Sequence, residues 1–117
     1  MRQFKYPNYL RAYRERWALT QRQLGTLLGG ISASRISRYE DHTDIPPLKA
    51  LIGCEFVFGE PARHLFPGIY ATVERTVAER AQALAETLAG QEDARSLAQR
   101  ELLEEIALRI AGDQSHI

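Results

Sequence analysis

The sequence predicts an all-α protein, with short helices first and one or two longer ones after them. Three observations carry this expectation. Apolar residues recur three and four positions apart along most of the chain, while strict alternation never lasts more than a few residues. Helix start and stop signals are frequent and paired: Thr20 with Gln23, Ser32, Pro47 and Pro61 as starts, and the glycines at 29, 30, 59 and 90 as stops. At 117 residues and 44% apolar composition, the chain can close one core and carry a modest extension.

Taken in order, a first helix is expected from about Asn8 to Trp17, with Leu10, Tyr13 and Trp17 on one side. Thr20 and Gln23 form a capping box for the second, with Leu19 and Leu24 as its hydrophobic staple. That helix carries Leu24, Leu27 and Leu28 and stops at Gly29-Gly30. Ser32 caps the third, and Ile31 is placed to staple to Ile36. Residues 41–47 read as a loop. Pro47 opens a fourth helix ending at Gly59, and Pro61 opens a short turn through Phe66 that Pro67-Gly68 breaks. A long helix over Ile69–Ala89 lines up Tyr70, Val73, Val77, Ala81, Leu84 and Leu88. After Gly90 a further helix over Gln91–Ala111 has Ala98, Leu102, Leu103, Ile106 and Ile110 on a broad apolar face, with Leu97 and Leu108 opposite. This divides the chain into 1–67, 68–111 and a frayed tail at 112–117.

The formal net charge of zero conceals segregation. Through Glu40 there are eight basic residues against two acidic, Glu15 and Glu40; the remainder holds seven basic against thirteen acidic. A basic head on an acidic tail is the asymmetry expected when one end meets a polyanion. No apolar run is long enough to span a membrane. Arg2 and Lys5 lead into tyrosines, Pro7 and Asn8, so no signal segment is expected. They read as an arm along a polyanion or as a loose start. A single cysteine, Cys54, suits a reducing cytoplasm, and its apolar surroundings make it a buried thiol. His42, His64 and His116 lack metal-ligand spacing with Cys54 or an acid, so neither metal nor cofactor is expected. Glu101, Glu104 and Glu105 read as a solvated face. There is no Gly-rich phosphate loop and no nucleophile–base pair, so no enzyme is expected.

Residues 21–40 constrain one another. A close crossing of two successive helices demands one tiny residue in the first, and Gly25 supplies it where glycine otherwise costs about 1 kcal/mol relative to alanine. Leu24, Leu28, Ile31, Ile36 and Tyr39 are spaced to fill the wedge beneath. Tyr39 is accordingly core and not a stacking platform. Ala33, Ser34, Arg35, Ser37 and Arg38 remain pointing outward. Short side chains near a helix start let it seat deeply in a DNA major groove, where arginines reach guanine edges or phosphates. Glu40, almost the only acid in a basic region, needs a cation.

The strings Leu19-Thr-Gln-Arg-Gln-Leu-Gly-Thr-Leu-Leu-Gly29 and Ile31-Ser-Ala-Ser-Arg-Ile-Ser-Arg-Tyr-Glu40 resemble the helix-turn-helix of the lambda-repressor-like, XRE-type transcriptional regulators. A looser likeness runs from Leu10 to Phe66, which would be the family's five-helix domain. Gly29-Gly30 is one residue longer than the family's usual turn. The resemblance implies a transcriptional regulator, of repressor type, that binds double-stranded DNA sequence-specifically. Ala33, Ser34 and Arg38 would face bases, with Arg38 bidentate to guanine. Gln21 would contact a phosphate and buttress the reading helix, Arg35 would take a phosphate, and Arg14 would pair with Glu40 as a structural ion pair. Ser37 on the outward face would also meet the DNA backbone, and Arg22 and Arg11 either meet it or are simply solvated. His42 and Thr43 lie in the loop after the reading helix, where phosphate contacts are common and loop polarity explains them equally well.

One reading helix covers few base pairs, so such domains pair to read two half-sites about 34–36 Å apart. The expected homodimer interface is the stripe Tyr70, Val73, Val77, Ala81, Leu84 and Leu88 together with Leu102, Ile106 and Ile110; the alternative is that these faces fold back on their own chain. Two rival functions stand beside this one. In the first, an antitoxin-type regulator binds a protein partner through its acidic C-terminal helices. In the second, an interaction module keeps the fold without binding DNA.

Overall fold

The computed structural model describes residues 7–114, and all regular structure among them is helical. Five short helices, α1 (Leu10–Arg16), α2 (Gln21–Leu27), α3 (Ala33–Glu40), α4 (Leu48–Phe58) and α5 (Ala62–Leu65), precede two long ones, α6 (Pro67–Leu88) and α7 (Ala94–Gln114). The chain divides into two units, Met1–Tyr70 and Ala71–Ile117.

The local signals produce the expected starts. Thr20 Oγ1 accepts from the Gln23 N–H at 3.0 Å, and Gln23 Oε1 accepts from the Thr20 N–H at 2.9 Å, so two donors at the start of α2 are satisfied reciprocally. Ser32 Oγ accepts from the Arg35 N–H at 3.2 Å to cap α3. The ends share one device. In α1, α2 and α3 the chain turns through a positive φ at Ala18 (57°), Gly29 (101°) and His42 (69°). The following N–H then reaches back to Arg14, Gly25 and Arg38 respectively, closing the last turn.

Several boundaries differ from expectation, most of them for a nameable reason. Asn8 lies outside α1, because its Oδ1 accepts from the Leu10 N–H at 2.9 Å. Trp17 follows the last residue of α1 and is 64% exposed, since the chain reverses at Ala18. Pro67 opens α6 and does not break a helix; a first-turn proline lacks only an N–H that has no helical partner anyway. The last helix begins at Ala94, after the Asp93 carboxylate takes the Ser96 N–H at 3.0 Å and its hydroxyl at 2.7 Å. Those bonds hold the Asp93 carboxyl below the usual carboxylate range. α7 also runs on through Gly112 to Gln114, where a frayed tail was expected.

In the first unit Leu10, Leu24, Ile36 and Leu65 are fully buried with Tyr39, Ala50, Cys54 and Phe66, and Tyr13, Leu28, Ile31 and Ile69 pack against them. Tyr39 is therefore core. Burial pushes the Cys54 thiol up to about 12, with a smaller contribution from Glu55, so it stays protonated and inert. The Tyr9 N–H donates to the Leu65 carbonyl at 2.9 Å, tying the segment before α1 to α5. α4 is apolar nearly all round, which leaves Leu48, Ile52 and Phe56 exposed, Phe56 at 86%. In the second unit Ser96 and Leu103 are buried and Ile106 and Ile110 half-buried, while Leu97 and Leu108 are exposed. No helix among the described residues is long and apolar enough to cross a membrane.

Candidate nucleic-acid interface

The position of α3 is set by one absent side chain and one buried ion cluster. A Cβ on Gly25 would lie 1.9 Å from the Ile31 carbonyl oxygen, so α2 can approach the entry to α3 only with glycine there. The close neighbour is thus the backbone of the turn; the sequence pointed to a crossing helix. The Gly30 and Ile31 N–H groups both donate to the Gly25 carbonyl at 2.9 Å. Both hydrogen bonds converge on one acceptor because Gly29 and Gly30 hold consecutive positive φ of 101° and 97°.

Glu40 closes the other end of α3. Its side chain is 1% exposed, and Arg14 reaches it with Nε and, at 3.1 Å, Nη2. Gln21 Nε2 donates to the same carboxylate at 3.1 Å, and Arg11 Nε lies 3.5 Å from it. Arg14 Nη1 also donates to the Leu19 carbonyl at 2.7 Å. One carboxylate thereby ties α1, α2 and α3 together. The bond to Glu40 raises the Arg14 pKa, outweighing desolvation, which lowers it. The expected Arg14–Glu40 pair is in place, and Gln21 belongs to its network.

Burial of Ile36, Tyr39 and Glu40 turns the opposite face of α3 outward. On it Ser34 and Arg35 are exposed and Ser37 and Arg38 half-buried, and the Ser34 and Ser32 hydroxyls stand 3.3 Å apart; Ala33, at the first helical position, is half-buried in line with Glu40. Arg22, on α2, is exposed. Arg38 Nε donates to Asp44 Oδ2 at 2.8 Å. In the loop, Thr43 gives both its N–H and its hydroxyl to Asp41 Oδ1. His42 Nδ1 lies 3.1 Å from Asn8 Nδ2, which also donates to the Tyr39 carbonyl at 2.9 Å. With Asn8 Oδ1 already accepting from Leu10, the amide orientation is fixed, so Nδ1 accepts and a neutral His42 carries its proton on Nε2.

No family model, curated protein or solved structure matches this chain.

Two residues that sequence reasoning did not single out hold this surface together. Asn8 pins the loop after α3 to the start of α1, and Asp44 holds Arg38. The signal for Asn8 was its type, since an asparagine just before a helix is a capping residue. Asp44 carried only the general tendency of Asp to occupy turns. Arg2, Lys5 and His116 lie outside the described residues. Of the expected interface residues, Tyr70, Val73, Val77, Leu84 and Leu102 are exposed, while Ala81, Leu88, Ile106 and Ile110 are half-buried. Among the described residues no group of three His, Cys, Asp or Glu side chains is placed to hold a metal ion.

Proposed function

We propose that this chain binds double-stranded DNA sequence-specifically, seating α3 in the major groove, and regulates transcription as a homodimer. The observation that carries the reading is the outward face of α3. Short Ala33 and Ser34 stand at its start, Arg35 and Arg38 stand beside them, and the helix is held in place by Gly25 and Glu40. Ala33 and Ser34 meet bases, and Arg38 takes guanine. Arg22, Arg35, Ser37, Thr43 and the Nε2 proton of His42 supply backbone contacts, and Gln21 contributes by orienting Glu40. The strong positive bias of the first forty residues supplies the salt-dependent attraction.

The direct test is Arg38→Ala. Affinity for the preferred site is expected to fall by ~1–3 kcal/mol, with a much smaller loss on random duplex, measured by salt-controlled mobility shift. Equal losses on both would reduce Arg38 to a phosphate anchor. If neither the parent nor the variant shifts duplex DNA at low salt, the reading fails.

The dimer is assigned to the α6 stripe of Tyr70, Val73, Val77 and Leu84, whose exposure in the single chain leaves apolar surface to cover. Val77→Glu places two like charges at such an interface and is expected to weaken self-association about tenfold or more, with helical content retained. Light scattering that finds the mass unchanged at the same concentration would move the interface elsewhere, the exposed Leu48, Ile52 and Phe56 of α4 being the next apolar face to test.

A further inference from the structure

Arg38 is not a loose surface cation. A guanidinium offers five donors, and the bond to Asp44 occupies Nε. That leaves the two terminal nitrogens, the end-on fork whose spacing matches guanine O6 and N7. Asp44 is placed by backbone as well as by charge. Its N–H donates to the Arg38 carbonyl at 3.2 Å, beside the Thr43 N–H to the same oxygen at 3.0 Å, because the chain reverses at His42. Asn8 holds that reversal from the side of α1. Both side chains of the pair are 43% exposed, so the ion pair contributes little to stability and its placement needs another reason.

We infer that Asp44 is a positioning residue that commits Arg38 to a base and thereby sets specificity at one base pair of each half-site. The inference rests on the DNA-binding reading above. Two physical effects follow from the geometry. Holding a long side chain in one rotamer before binding removes an ordering cost that a free arginine meets on the DNA. A carboxylate at Nε also disfavours any swing toward a phosphate, whereas an unrestrained arginine on this face pairs with the backbone of any sequence. Asp44 therefore exchanges general affinity for guanine preference.

The experiment uses the full chain and its Asp44→Ala, Asp44→Asn and Arg38→Ala variants, each checked for unchanged helical content. Bound duplexes are selected from a random library, and affinities are then measured on the preferred site and on its single-position variants at several salt concentrations. Asp44→Ala is expected to lose about tenfold in preference at the same base pair where Arg38→Ala loses it. Its affinity for random duplex should hold or rise, and its salt dependence should steepen by about one phosphate contact. Asp44→Asn keeps an acceptor but not the charge and should fall between the two. Full guanine preference in Asp44→Ala would overturn the inference and leave a plain surface ion pair. A uniform gain on every sequence would overturn it too, making Asp44 only an electrostatic mask. If the parent chain selects no site, the DNA-binding reading itself fails and takes this inference with it, a result distinct from the other two.

Discussion

Gly25→Ala is expected to destabilise the chain by about 3 kcal/mol, although helix propensity alone favours alanine there by about 1 kcal/mol. The two effects have opposite signs, so the experiment decides between them. The new methyl would sit 1.9 Å from the Ile31 carbonyl oxygen and 3.0 Å from its carbon, both backbone atoms that no rotamer change can move. Nor can the segments separate cheaply, because the Gly25 carbonyl accepts from both Gly30 and Ile31. Relief requires tilting α3, which removes Ile36 from a site where it is fully buried. Urea unfolding followed by circular dichroism measures the difference. A variant as stable as the parent would mean that the close approach of α2 to the turn is not rigid. On the proposed DNA-binding reading, a partly stable variant should still bind duplex poorly, since α3 is the element displaced.

Glu40→Ala is expected to cost about 3–5 kcal/mol, more than a typical surface charge by a wide margin. The loss comes from what is left behind: Arg14 stays buried with its charge uncompensated, and the Gln21 amide and Arg11 lose their acceptor. Replacing both partners, as Arg14→Met with Glu40→Leu, should cost clearly less than the sum of the single changes, because no charge then remains buried. Strictly additive losses would show that Arg14 and Glu40 do not act as a pair. The double variant still forfeits the bond from Arg14 to the Leu19 carbonyl, which keeps it below the parent. The pH dependence has a definite sign. The folded chain raises the Arg14 pKa, so its contribution is complete below the unfolded value and fades only as pH climbs through the folded one. Deprotonation of Arg14 is therefore not a source of lost stability in the neutral range.

Much of the first unit was legible because its signals act within a few residues. The Thr20–Gln23 box and the Ser32 cap are bonds between positions three apart, which residue order alone brings together. The tiny residue at 25 and the acid at 40 in a mostly basic region were legible for another reason: each is costly unless a partner exists, so its presence implies one. Trp17 was misplaced because an apolar residue in helical register looks like core until the chain reverses, and the left-handed turn falls on an alanine, which gives no warning. Pro67 misled similarly, since a proline reads equally as a stop or as a first helical residue.

On the outward face of α3 the residue types follow from residue order, because helical period and the burial of Ile36 and Tyr39 fix which side turns outward. The helical architecture, the caps of α2 and α3 and the buried state of Cys54 follow from it too. What those residues bond to depends on the folded chain. Asn8 meets Tyr39 and His42 across more than thirty residues, and Glu40 draws Arg14 and Gln21 from two other helices. Asp44 captures the Nε of Arg38 although the two lie six residues apart, because the turn at His42 doubles the loop back on its helix. The physical reason is the same in each case. A bond within one helical turn follows from local geometry, whereas a bond across a chain reversal depends on where the reversal sends the backbone, and that is settled by packing.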